Sequence, residues 1–204
     1  MEERVEKTIK SLQEHGFKAV YVKDREEAKN LILEMAKGFH TVGVGGTSTV
    51  RATGVLEALK KQGYEVLDHW TEKDPAKILE IRKAQMTSDV FLTGSNAVTM
   101  TGELVNREGA GNRTNAMTFG PKKVIVVAGI NKIVEDVPAG LDRIKKIAAP
   151  KRTRELNMQT PCAEKGVCCD CNSPQRICRI TIVHERKPML TDVTIIIVGE
   201  ELGN

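Results

Sequence analysis

Residues 123–128 read Lys-Val-Ile-Val-Val-Ala, five consecutive apolar side chains behind one lysine. A strand with one wet face alternates apolar and polar residues. A run that is apolar at every position has both faces covered, as in the centre of a parallel sheet with helices on either side. Upstream of it, strand-like and helix-like stretches alternate. Residues 2–15 have Val5, Ile9 and Leu12 on one helical face, and Phe17–Val22 is strand-like. Asp24 caps an expected helix to Lys37, with Ala28, Leu31, Ile32 and Met35 inward and Gly38 ending it. Thr41–Gly45 is a short buried strand, and a helix is expected from Thr47 or Ser48 to Lys61, closed by Gly63. Tyr64–Leu67 is the next strand. Asp74-Pro75 starts a helix carrying Ile78, Leu79 and Ile81. Asp89–Thr93 is a strand, and residues 96–108 form a hairpin with Thr101-Gly102 at its tip.

Downstream, Asp136–Ile147 reads as a capped helix, and Cys178–Glu185 and Val193–Val198 as two closing strands, with a cysteine-rich loop at 160–180. This alternation predicts a three-layer α/β/α sandwich with a mostly parallel sheet, a single domain over residues 1–204. Ligands of such sheets sit beyond the C-terminal strand ends, where strand order reverses. The loops after residues 45, 94 and 128 are therefore the places to look.

Of 204 residues, 40% are hydrophobic, 28% charged and only 3% aromatic. The core must rest on aliphatic side chains, and few stacking platforms remain for single-stranded nucleic acid, which is not expected as a partner. The net charge of +4 suits a small anionic ligand without demanding a polyanion. No apolar run is long enough to span a bilayer, and MEERVEKTIK lacks an apolar signal core, so a cytoplasmic protein is expected.

The segment VGVGGTSTVRATG, residues 42–54, runs from a strand into a helix through Gly45, Gly46, Thr47, Ser48 and Thr49, with Arg51 in the first turn. Glycines let backbone approach a ligand. Hydroxyls and free N–H groups at a helix start offer donors to an anion. The spacing is neither that of a Walker loop nor G-x-G-x-x-G. A tight strand-to-helix turn with a Ser or Thr cap explains it equally well. The second loop, TGSNAVTMTGELVNREGAGNRTN at 93–115, is denser in Gly and polar residues than a plain hairpin needs. Gly94, Ser95, Asn96, Asn106 and Arg113 are its binding candidates.

VGVGGTSTV resembles the phosphate loop of ribose-5-phosphate isomerases. TGSNAVTMTGELVNREG is similar to the matching stretch of methylthioribose-1-phosphate isomerase and related translation initiation factor subunits. These share a fold with CoA transferases and glucosamine-6-phosphate deaminase. Within that superfamily the whole chain resembles stand-alone members of the lactate-utilisation (LUD) family, through GPKKVIVVAGINKIV, TPCAEKGVCCDC and IIIVGEELG. The resemblance implies a role in lactate or related organic-acid utilisation, as a component of a redox complex. It also turns Asn131 and Lys132, which alone would read as a strand-end loop, into pocket candidates. The isomerases have an acid where this chain has Asn96; an amide cannot titrate, so isomerase chemistry by that route is not expected.

All five cysteines lie between 162 and 178, and Cys162, Cys168, Cys171 and Cys178 give C-x5-C-x2-C-x6-C. Clustered thiolates point to a soft metal in a reducing compartment rather than to disulfides. The candidates are a structural zinc, an iron–sulfur cluster, or free redox-active thiols. The resemblance tilts the choice toward iron–sulfur with a redox partner protein and leaves Cys169 as the extra thiol, although Cys169 could replace Cys168. The run Lys151, Arg152, Arg154 could attract an acidic partner, or be a solvated helix face. His15, His40, His69 and His184 share no ligand spacing; His69-Trp70 ends a strand and could line the cleft, but local packing is the reading preferred. Two other functions fit the same sequence. One is an enzyme or sensor for a phosphorylated or CoA-linked anion with structural zinc; the other is a non-catalytic assembly subunit.

Overall fold

A computed structural model describes residues 3–204. Glu2, the first residue of the expected N-terminal helix, lies outside them. Ten strands and nine α-helices are present among the described residues. Six strands form one parallel sheet in the order β1-β10-β7-β4-β2-β3. They span Lys18–Val22 (β1), Asp192–Val198 (β10), Lys123–Gly129 (β7), Val90–Gly94 (β4), Thr41–Val44 (β2) and Glu65–Leu67 (β3). The KVIVVA strand is central, as its uniform apolarity requires, and its residues divide between two cores. Ile125 and Val127 face α2 (Arg25–Ala36), α3 (Ser48–Ala52) and α4 (Val55–Lys61). Val124, Val126 and Ala128 face α1 (Glu3–Glu14) and α6 (Asn112–Thr118). The result is the three-layer sandwich expected from the alternation.

A second sheet, not foreseen, has the order β8-β5-β6-β9. The hairpin Ala97–Thr99 (β5) and Leu104–Glu108 (β6) is its centre. It is flanked by Ile133–Val134 (β8) and Ile180–His184 (β9). The strand expected near residues 178–185 thus closes this sheet, not the main one.

Two helix expectations are corrected. The helix from Thr47 to Lys61 is two helices, broken at Thr53-Gly54, where Gly54 takes the left-handed φ of +72°. The helix expected to end at Ile147 continues to Glu155. It runs as α7 (Val137–Arg143), a π-helical turn at Ile144–Ala148, and α8 (Ala149–Glu155). Pro150 would clash with the carbonyl four residues back in a regular α-helix. The wider turn before it lets the chain continue.

β2 leads to β3 on one side of the sheet, while β4 leads to β7 on the other. The crevice beyond the C-terminal ends of β2 and β4 is the point where strand connections diverge. There the two candidate loops touch: a Cβ on Gly94 would lie 2.9 Å from Thr47 Oγ1.

The helix break can be tested by the sign of one substitution. A Cβ on Gly54 would meet nothing within 4 Å, so only backbone conformation matters. Gly54→Ala should destabilise by about 1–2 kcal/mol, the cost of a left-handed alanine. In an unbroken helix the same change would stabilise by about 1 kcal/mol. Urea unfolding of the two proteins distinguishes these.

Candidate functional site

A cavity of about 740 Å³ opens at this crevice. Its floor is Gly46–Thr49 after β2 and Gly94–Asn96 after β4. One wall is Ile144, Ala148 and Ala149 of the π-turn and α8, another is His69, Trp70, Ile78 and Arg82, and residues 174–179 of the cysteine-rich loop form a third.

Arg113, on α6, organises the floor. Its Nε donates to Glu108 Oε2 (2.9 Å), Nη1 to the Gly94 carbonyl (3.0 Å) and to Asn106 Oδ1 (2.9 Å), and Nη2 to Asn96 Oδ1 (3.1 Å). Glu108 is completed by Thr114, whose N–H and hydroxyl donate to Oε1 at 3.1 and 2.8 Å. Asn96 Oδ1 also accepts from the Arg107 N–H (2.9 Å), so the amide sits as a fixed acceptor where the similar isomerases have an acid. Gly45 does not line the cavity; a Cβ there would come within 3.2 Å of Arg113 Cγ, so the glycine makes room for that side chain. Asn106, fully buried, likewise supports Arg113 from behind.

Lys132 lines the cavity with 4% exposure. Its Nζ donates to the Asn204 carbonyl, and Arg143 donates to the carbonyls of Asn131 (3.1 Å) and Asn96 (2.7 Å) beside it. Burial, helped by the charges of Arg143 and Arg113, pulls the Lys132 amine down to about 7. Asn131 itself points elsewhere. Its Oδ1 accepts from the Leu202 N–H (3.1 Å) and its Nδ2 donates to the Gly203 carbonyl (3.4 Å), fastening the last residues over the β7 exit. Arg51 is also outside the cavity: it pairs with Asp68 (2.6 Å) and covers one face of Trp70 at 4.2 Å. Arg152, from the run read as a partner-facing or solvated surface, also stacks over the Trp70 ring at 4.4 Å and lines the cavity. His69 and Trp70 line the cavity, the alternative to local packing that their place at a strand end offered, while Ile78, Arg82, Arg152, Arg176 and Arg179 were not foreseen as cavity residues.

The cysteine-rich loop packs against this site. Cys162, on α9 (Pro161–Lys165), is buried within 3.4 Å of the Thr153 and Thr160 hydroxyls. The Cys168 N–H donates to the Lys145 carbonyl of the π-turn (3.0 Å), and Cys169 is exposed. The Asp170 N–H points at Cys168 Sγ (3.4 Å) from a left-handed residue, φ +48°, which folds the chain between Cys168 and Cys171. Arg176 donates to the carbonyls of Cys171 (2.6 Å) and Cys178 (2.9 Å), and Cys178 lines the cavity, its thiol pushed up by burial. The donors and the turn suit a soft metal. As the side chains stand, no three His, Cys, Asp or Glu groups converge among the described residues.

A family model described as the LUD domain matches residues 5–198. The chain belongs to the LUD domain family. That family is one of lactate utilisation. A crystal structure of a DUF162 family protein from Deinococcus radiodurans is similar over 97% of each chain, at 17% identity and a TM-score of 0.59, a likeness of fold. No curated protein matches the chain. The crevice where the two loops meet is thus set within a LUD fold.

Lys132 supplies a test by pH. Its folded value of about 7 lies below its ordinary 10.5. Stability should therefore rise between these pH values and fall as pH drops through 7. Lys132→Met should abolish that rise and increase Tm at pH 7, by about 2–4 °C for each kcal/mol recovered. Calorimetry across pH checks both the slope and the Tm.

Proposed function

We propose that this LUD protein holds a phosphorylated or CoA-linked anion in the crevice, as an enzyme or sensor of organic-acid utilisation. One observation carries the reading. The cavity wall gathers Arg82, Arg107, Arg113, Lys132, Arg152, Arg176 and Arg179; Glu108 pairs with Arg113, Glu155 with Arg152 and Asp170 with Arg176, so that Arg82, Arg107, Lys132 and Arg179 have no carboxylate partner among the described residues. Cations crowded into one concave, largely apolar space raise one another's cost until an anion enters. The volume of about 740 Å³ is that of a site for a drug-sized ligand. Lactate alone would leave most of it empty. The glycine loop contributes backbone close to the ligand, with Thr47 and Ser48 hydroxyls at the start of α3. Arg113 and Asn96 orient the bound group, and Lys132 adds charge that responds to it.

A second reading concerns the thiols. Cys162, Cys168, Cys171 and Cys178 would hold an iron–sulfur cluster or zinc after the loop draws together, with a redox protein as partner for the cluster. It is favoured by the turn at Asp170 and its N–H directed at Cys168 sulfur. Thiolate ligation would supply electron transfer if iron–sulfur, or a structural clamp if zinc.

For the first reading, CoA, acetyl-CoA and sugar phosphates in a thermal-shift panel should include ligands that raise Tm, as mass action requires. An unmoved Tm across that panel would count against it. For the second, anaerobic purification should give iron with acid-labile sulfide, or one zinc per chain. Protein free of both metals ends that reading.

A further inference from the structure

The part of the cavity wall that carries His69 and Arg82 is built around a buried polar cluster that cleft formation alone does not explain. Gln85, the only buried residue of α5 (Pro75–Gln85), donates through Nε2 to the carbonyls of Val44 (2.8 Å) and Leu67 (2.9 Å). Those two acceptors fix the amide orientation. The same nitrogen faces His69 Nδ1 at 3.0 Å. An amide NH2 has no acceptor, so Nδ1 must carry the lone pair. The proton of the neutral ring then sits on Nε2, and among the described residues Nε2 has no partner, on a side chain that lines the cavity. Beside it, Arg82 also lines the cavity, and its buried Nε has no partner.

The cluster is under-satisfied throughout. Of seven buried side-chain atoms without a partner among the described residues, four belong to it: Arg51 Nε, Asp68 Oδ2, Arg82 Nε and Gln85 Oε1. Buried polar atoms are normally paired, and a local concentration of exceptions marks a place where something else binds. Burial and the Arg82 charge lower the His69 pKa, with Arg51 acting the same way and Asp68 and Gln85 opposing. The ring thus stays neutral and its tautomer stays fixed at ordinary pH. Trp70 also lines the cleft; Arg51 and Arg152 both stack over its ring, and its Nε1 would lie 3.1 Å from a Cβ on Gly46.

We propose that His69 and Arg82 form a second oxyanion-recognising subsite, separate from the Arg113–Lys132 end, so that the ligand of the cleft carries two separated anionic groups. This rests on the reading of the cleft as an anion site and narrows it. A phosphate or a carboxylate satisfies the same donors: one N–H from a neutral imidazole and a guanidinium. His69 and Arg82 are recognition residues here, with Gln85 as the positioning residue that sets the imidazole tautomer.

Alkane-α,ω-diol bisphosphates of increasing length, with the matching alkyl monophosphates, measure this directly by titration calorimetry. One bisphosphate length should bind the wild type about tenfold or more tighter than its monophosphate. That advantage should vanish in His69→Leu and in Arg82→Met. His69→Gln, whose amide can donate from near the Nε2 position, should restore part of it. Lys132→Met should weaken the monophosphates as well as the bisphosphates, and should weaken the monophosphates by more than these three variants do. Far-ultraviolet circular dichroism on each variant verifies folding, and two independent positions guard against loss of one. If monophosphates bind and no length gains affinity, or the gain survives both substitutions, the second subsite is wrong while the anion cleft stands. If neither series binds, both fall.

Discussion

The site depends on one buried ion pair. Arg113 and Glu108 lie 2.9 Å apart with their side chains only 11% and 12% exposed. A buried pair of this kind contributes little net stability, because desolvation offsets the attraction, but removing one partner strands the other charge. Its value lies in position. The Arg113 guanidinium spends its donors on Gly94, Asn96, Asn106 and Glu108. It thereby joins the end of β4, the hairpin and α6 into one rigid floor. Gly45 is small so that Arg113 can pass, and Thr114 completes Glu108. Around this neutral centre, Arg82, Arg107, Lys132 and Arg179 line the cleft without a carboxylate partner among the described residues.

The cysteine-rich loop belongs to the same construction. Its start is hydrogen-bonded to the π-turn through Cys168 and Lys145, and its end supplies Arg176, Cys178 and Arg179 to the cavity. π-Turns gather at functional sites because they displace side chains from regular helical positions. Here the turn places Ile144 and Ala148 on the cleft and offers a carbonyl to the loop. A rearrangement of this loop would therefore move a wall of the cavity.

Much of this was legible in the sequence. KVIVVA announced a central parallel strand because burial on both faces removes the need for polar residues. Asp24, Asp74 and Asp136 marked helix starts by the chemistry of capping, and each accepts a backbone N–H from its first turn. Glycine density located both floor loops. What escaped detection depends on tertiary geometry. Gly54 reads the same inside a helix as between two helices, and only its φ separates the cases. Pro150 argues for a helix end unless a wider turn absorbs it. Asn131 and Arg51 carry the right chemistry at the right strand ends, yet both are consumed by neighbours, the chain's last residues and Asp68. Arg82 and Arg152 reach the cleft from segments far apart in sequence, and no local pattern distinguishes them from surface residues, whereas His69 had only its strand-end position to set against packing.

The proposal of an anion cleft is tested most directly in crystals soaked with selenate or tungstate, ions that scatter anomalously and carry the charge of the groups they imitate. An ordered peak between Arg113 and Lys132, above the Gly46–Ser48 backbone, is the expected result. Ions confined to exposed surface lysines, with the cavity holding none, would contradict it.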